Sequence, residues 1–352
     1  MPVAMPSLPG FQVFRDEMSL FKVIGMALLF YYCVMDVILY ITFMNTNLVE
    51  SSKGASDDEL YSPFTHLSVK QLMNDHTSQY IVSPAIEYFD IFTQFSGIFY
   101  FITPNMISFT HLAIAFLAGR FVASESLHSR RIGVILFEIR TCMDTLDGVV
   151  FRAHTHTKGM YQSVRNSSGY YVDITCDALG GVFLCFGVLF YLFKRFDPAK
   201  QVDLSWKSVE AGTSGAGKSG TNGLLHSGAQ VTYSKKMLFW KCWCYGITIA
   251  MGGKFWDSIV SDFKDVFQIP IADPALSALQ YETCHSGTTV FLWYLWRLVE
   301  GQALLQYLLV AIFIDKVWEF INFVQYILFV AVLLLYLVSL LYVHHVRTML
   351  HL

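Results

Sequence analysis

The strongest constraint on this chain is a set of apolar runs that a water-soluble fold of its size cannot hide. Val23–Met44, Met237–Trp256, Thr288–Ile314 and Phe320–Val343 are each long enough to cross a bilayer, which takes about 20 mainly apolar residues in a helix. Asn105–Ala123, Arg131–Val150 and Val172–Phe193 are of similar length but carry polar or charged residues. Composition agrees: 14% of the 352 residues are charged and 54% are hydrophobic, against about 25% charged in soluble domains. Backbone groups in lipid must pair with one another, which leaves helices or closed barrels. The alternating segments of about ten residues that mark barrel strands do not recur. The expectation is an all-α polytopic membrane protein with seven spans.

The runs divide the chain into residues 1–44 (an N-terminal segment and an uncleaved anchor helix), 45–103, 104–193, 194–236 and 237–352. Residues 45–103 are polar and somewhat acidic, with apolar patches such as Tyr88–Phe101 that suit a membrane interface. Residues 194–236 are rich in Gly, Ser and Lys and read as a flexible loop. Seven spans put Arg15, Lys22, Arg130, Arg131, Lys194, Arg195, Lys235 and Lys236 on one side, close to span ends. That side is expected to be cytosolic. Six of the seven cysteines lie in or beside spans, so no disulfide framework is expected. The net charge of −3 and the span pattern give no footprint for nucleic acid.

Chemistry concentrates between Asp144 and Asp177. Asp144 and Asp147 are three residues apart and Asp173 and Asp177 four apart, so each pair shares one face of a helix. Two successive helices can bring the four carboxylates together. An ionised Asp in a span costs about 2.5–3.5 kcal/mol on insertion scales, and like charges repel further. Divalent cations would cancel that charge, and oxygen ligands suit Mg²⁺ or Mn²⁺. Paired ions suit phosphoryl transfer, because they can hold a pyrophosphate and stabilise the leaving oxygen. Arg152 can grip a phosphate with its planar fork, and Gly148 lets a ligand approach the helix backbone.

This pattern resembles the signature of the CDP-alcohol phosphotransferase family, D-x2-D-G-x2-A-R-x8-G-x3-D-x3-D. It is matched by Asp144, Asp147, Gly148, Arg152, Gly169, Asp173 and Asp177. Phe151 replaces the signature Ala, and sixteen residues rather than eight separate Arg152 from Gly169. Thr103-Pro104-Asn105 resembles the start of the preceding family helix. The resemblance implies a six-helix core, here with an extra N-terminal transmembrane helix. It implies a two-metal site of Mn²⁺ or Mg²⁺ on Asp144, Asp147 and Asp173, with Asp177 as base and partial ligand. It further implies nucleotide contacts from Gly148, Arg152, Gly169 and Asn105, and a homodimer.

The long spacer, the extra span and a non-cytosolic site are most similar to members that act on a sphingolipid. They imply CDP-ethanolamine and ceramide as substrates, in the Golgi or endoplasmic reticulum with the site facing the lumen. A diacylglycerol acceptor, and more remotely a cation transporter, are the alternatives.

Other features carry blander readings. Gly212–Ser219 matches a phosphate-binding loop pattern but lacks the strand and helix it needs. His154 and His156 in the spacer, with Glu138 on the carboxylate helix, are possible neighbours of the site, as is Arg140. His111 reads as a hydrogen-bonded core residue, with lining the site as the alternative, Asp36 as a packing or interface contact, and Arg297 with Glu300 as a structural pair one turn apart, with a headgroup contact as the alternative. Asn166 is a glycosylation acceptor by pattern.

Overall fold

The computed structural model describes residues 9–51, 61–155, 168–197 and 233–352, and among these it is helical with no strand. Residues 198–232 of the loop expected at 194–236, the Gly212–Ser219 pattern, His156 and Asn166 lie outside the described residues. The long helices are α1 (Pro9–Met44), α6 (Pro104–Val122), α7 (Leu127–His154), α8 (Ser168–Arg195), α9 (Lys235–Phe267), α11 (Gly287–Val299), α12 (Gly301–Phe313) and α13 (Val317–Met349). Shorter helices fill the segment after the first span: α2 (Leu48–Ser51), α3 (Val69–Met73), α4 (Ser83–Thr93) and α5 (Phe95–Ile98), with a wide helical turn at Ser78–Val82. The last of the short helices, α10, is Pro274–Cys284. The protein is therefore an all-α polytopic membrane protein.

Among the described residues, four helical segments are long and apolar enough to span a bilayer: Ser19–Met44, Pro104–Val122, Gly169–Arg195 and Tyr326–Met349. The expected span Thr288–Ile314 is broken: α11 and α12 meet at 42°, and Glu300 between them has an extended backbone (φ −66°, ψ 163°). Together they make a fifth candidate. α7 and α9 occupy two further expected spans and are long, at 28 and 33 residues, but less apolar. All seven cysteines are free.

Local chemistry explains where the site-bearing helices begin. Thr103 caps α6 by accepting from the Met106 amide, and Pro104 sits in the first turn, where its missing N–H and fixed φ cost nothing. α6 packs along both α7 and α8. The approach to α8 depends on glycine: a Cβ on Gly187 would lie 2.5 Å from the Gly119 carbonyl oxygen, and one on Gly119 2.5 Å from that of Phe183.

One apolar core joins α6–α8 to α9 and α12 through Phe137, Leu184, Leu192, Leu238 and Leu308. A second joins α1, α3, α9, α11 and α13 through Phe43, Met73, Phe263 and Trp296. A small third cluster of Ile107, Leu146 and Val150, with Ile86 and Phe95 against it, lays α4 and α5 over the carboxylate end of α6 and α7.

Candidate metal centre and active site

α7 is about 42 Å long at 1.5 Å per residue, and its two ends differ in chemistry. Near its start Arg130 reaches Asp315 at 2.6 Å, and Tyr191 donates to the same carboxylate at 2.9 Å. Near its end lie Asp144 and Asp147. α8 brings Asp173 and Asp177 alongside, so that Asp147 faces Asp173 and Asp144 faces Asp177. The convergence expected from the two spacings is thus present in the fold.

α6 supplies what the motif does not contain. Ser108 Oγ donates to Asp147 Oδ2 at 2.9 Å. His111 is 0% exposed, and its Nε2 lies 3.9 Å from Asp144, 3.8 Å from Asp147 and 4.0 Å from Asp177. These separations are too long for hydrogen bonds, and neither ring nitrogen has a hydrogen-bond partner. The reading of His111 as a hydrogen-bonded core residue is therefore corrected, and the alternative, that it lines the site, is the one the fold shows. Ligand atoms of His111, Asp144, Asp147 and Asp173 all lie within 4.8 Å of one another. Asp173 Oδ1 is also buried without a partner.

Unsatisfied buried donors and acceptors are costly and rare. A convergent set of three carboxylates and one imidazole, with unpartnered atoms at its centre, fits a divalent cation such as Mn²⁺ or Mg²⁺.

Asp177 has a different partner. Arg140, one helical turn before Asp144, is 1% exposed and its Nη2 donates to Asp177 Oδ1. Its Nη1 lies 4.0 Å from Asp144 Oδ2. The Asp177 side chain keeps 34% of its surface exposed. Gly180 makes room for the guanidinium, since a Cβ there would sit 3.4 Å from Arg140 Nε.

The remaining expected residues are distributed around this centre. Gly148 is half-buried next to Arg152, whose Nη1 lies 3.4 Å from where a glycine Cβ would be. Arg152 is held by Glu87 of α4 at 2.5 Å. Asn105 is half-buried in the first turn of α6, and Gly169 lies in the first turn of α8. Glu138 accepts from Gln306 of α12 at 3.2 Å, and His154 is exposed at the end of α7.

Lys70 and Glu87 were not singled out by the motif. Both come from the polar segment before α6, where nothing in spacing ties them to a site far along the chain. Lys70, on α3 outside the spanning helices, has its ammonium held below the ordinary value by burial and then by Arg152. Asp173, Asp257 and Asp144 pull it back up, so Lys70 stands within electrostatic range of the carboxylates.

Of two readings made outside the motif, one changes and one holds. Arg297 does not pair with Glu300: its Nη1 meets Asp36 of α1 at 3.0 Å. Asp36 is a structural acceptor, taking hydrogen bonds from Tyr80 at 2.7 Å and His76 at 2.9 Å as well.

The chain is 33% identical over 268 residues to a curated ceramide phosphoethanolamine synthase of Drosophila melanogaster. The match covers 75% of this chain and 64% of the relative, so the chain spans less than two thirds of that protein's length. No solved structure matches. A family model described as ceramide phosphoethanolamine synthase matches residues 15–351, a stretch that contains every residue of the carboxylate centre, and the chain belongs to that family.

Proposed function

We propose that the protein transfers phosphoethanolamine from CDP-ethanolamine to the primary hydroxyl of ceramide, releasing CMP, at the luminal face of the Golgi or endoplasmic reticulum. The observation that carries this reading is the convergence of Asp144, Asp147, Asp173 and His111 beside a separately held Asp177. Membership of the family and the named activity of the Drosophila relative support the substrate pair.

Asp144, Asp147 and Asp173, with Asp177 as a partial ligand, would hold the divalent cations of a two-metal site, Mn²⁺ or Mg²⁺, and His111 stands among them. When bound, the cations neutralise the pyrophosphate and stabilise the departing phosphate oxygen. Arg152, steadied by Glu87, binds a nucleotide phosphate, with Gly148, Gly169 and Asn105 lining the approach. Asp177, with Oδ1 held by Arg140, takes the proton of the ceramide hydroxyl. The hydroxyl oxygen then forms a bond to the phosphorus bearing ethanolamine. The bond from that phosphorus to the CMP oxygen breaks, and CMP leaves with the electron pair.

The test is purified protein given labelled CDP-ethanolamine or CDP-choline, with ceramide and diacylglycerol in competition. CMP release coupled to labelled ceramide product is expected. Preferential labelling of diacylglycerol replaces the acceptor with a glycerolipid, and no CMP release from either donor removes the transferase reading. Protease protection of a tag beside Asp177 in sealed vesicles tests the luminal face.

A further inference from the structure

We propose that Lys70 and Asp257 form the subsite for the group that is transferred, with the Lys70 ammonium on its phosphate and the Asp257 carboxylate on its amine, and that Asp257 makes the protein select a primary ammonium over a trimethylammonium. The inference rests on the transferase reading above and adds the residues that choose the donor's headgroup.

Packing sets the two residues beside the carboxylate centre. α3 is five residues long, and Val69, Gln71, Leu72 and Met73 are all buried, while Lys70 is only half-buried. Its start is fixed by a reciprocal cap: the Gln71 amide donates to Ser68 Oγ at 3.3 Å, and the Ser68 amide donates to Gln71 Oε1 at 2.9 Å. Its end is fixed to α9, where Trp256 Nε1 donates to the Met73 carbonyl at 2.8 Å. The next residue of α9 is Asp257. From α8, the Tyr170 hydroxyl donates to Asp257 Oδ2 at 3.2 Å. Tyr170 precedes Asp173 by three residues and shares its helix face. Asp257 is therefore tied within one tyrosine's length of the carboxylate face of α8. The charges that act on the Lys70 ammonium are Arg152, Asp173, Asp257 and Asp144, so it faces α7, α8 and α9 together. Of those three carboxylates, Asp257 alone stands outside the four-aspartate motif.

The chemistry of the transferred group matches this pair. Phosphoethanolamine carries a phosphate and a primary ammonium two carbons apart. Lys70 and Asp257 offer one cation and one carboxylate on the side facing the motif. With Arg152 on the nucleotide phosphate, Lys70 supplies the second cation that a donor with two phosphates calls for. Glu87 is engaged by Arg152 and Asp177 by Arg140, which leaves Asp257 for the amine. A primary ammonium brings three N–H donors to a carboxylate. A trimethylammonium brings none and is recognised by aromatic faces. Tyr170 meets Asp257 through its hydroxyl, so the recognising group here is the carboxylate. A site built to hydrogen-bond an N–H strongly rejects an analogue that lacks it.

The experiment varies the donor's nitrogen. The full chain in lipid nanodiscs, with saturating Mn²⁺ and ceramide, is given CDP-ethanolamine and its N-methyl, N,N-dimethyl and N,N,N-trimethyl forms, and CMP release is measured. kcat/KM is expected to fall with each methyl group and most at the third, by about 10²-fold or more from first to last. Asp257→Asn is expected to cut that ratio by about 10-fold, through a higher KM for CDP-ethanolamine, with CMP affinity retained. Lys70→Gln is expected to lower kcat for every donor by about 10²-fold, as for loss of one donor to a reacting oxygen, with the ratio kept and Lys70→Arg recovering most of the rate.

Equal use of the four donors by the unmodified chain overturns the inference, and that result needs no variant. A folded Asp257→Asn that keeps the full ratio also overturns it, as does one that loses CMP affinity and all four donors together, since that is the mark of a structural residue. Normal turnover in Lys70→Gln overturns the role of Lys70. The two readings fail differently. Release that ignores the number of N–H groups removes this inference alone, and no release from any donor removes the transferase reading on which it rests.

Discussion

Two buried charge clusters in this protein are built to opposite ends. Around Asp36, one carboxylate receives Tyr80, His76 and Arg297 at 2.7–3.0 Å, and the Arg297 guanidinium lies over the Tyr80 ring. Around Asp144, four carboxylates share one guanidinium, and His111 and Asp173 keep polar atoms with no partner. A buried carboxylate with its partners in place stabilises a specific packing; one left short of partners costs free energy. The first cluster ties α1 to α11 with its carboxylate fully engaged, and only Nε and Nη2 on the far side of the Arg297 guanidinium lack a partner. In the second, a histidine and three carboxylates bring ligand atoms within 4.8 Å of one another, an arrangement that could hold a metal ion, whereas the first converges donors on a single carboxylate.

The contrast is sharpest under metal removal. Exhaustive chelation is expected to abolish CMP release completely, with recovery on adding Mn²⁺, and to lower the thermal midpoint, because an ion bound only to the folded state stabilises it. Full activity in a chelated preparation verified to be metal-free would end the metal reading. Next in size, Asp177→Asn is expected to lower turnover by about 10²–10⁴-fold, the usual contribution of a general base, with CMP affinity unchanged. Normal turnover in this variant would move the base elsewhere.

The Asp36 cluster should respond in the other currency. Asp36→Leu leaves Arg297 buried without its carboxylate, which costs about 3–5 kcal/mol when a buried pair loses one partner. A clear fall in thermal midpoint with unchanged CMP release per folded molecule is expected. A variant as stable as the parent but inactive would make Asp36 part of the chemistry. The smallest effect is expected from Ser108→Ala, which removes the hydrogen bond that orients Asp147. Mn²⁺ affinity should drop about 10-fold, at the low end for a group that orients a ligand, and saturating Mn²⁺ should restore turnover. Unaltered affinity would show that Ser108 only caps a carboxylate.

Much of this was readable before any coordinates. Asp144, Asp147, Asp173 and Asp177 declare themselves because helix spacing converts sequence separation into shared faces, and both pairs lie close together in the chain. Arg140 belongs to the same face by the same rule, although only the fold shows that it reaches Asp177. Arg297 misled for the complementary reason. Its nearest acid in sequence, Glu300, sits where the helix breaks, and the extended backbone there removes the one-turn geometry the pairing needed. The break itself is a packing event: a Cβ on Gly301 would lie 2.9 Å from the Gly253 backbone nitrogen, so α12 starts against α9 as closely as two helices can come.

Sequence alone determined the environment, the helical class and the four carboxylates, since these follow from apolar run length and local helical periodicity, which act within a few turns of chain. Tertiary structure decided which residues complete the site. His111, Ser108, Glu87 and Lys70 reach it from segments whose own periodicity records only which face is apolar. Their partners were set by close helix crossings such as that at Gly119 and Gly187, a long-range geometry that no spacing rule encodes. The four aspartates thus mark where the centre lies, and Arg140 and His111, placed by packing, complete its surroundings.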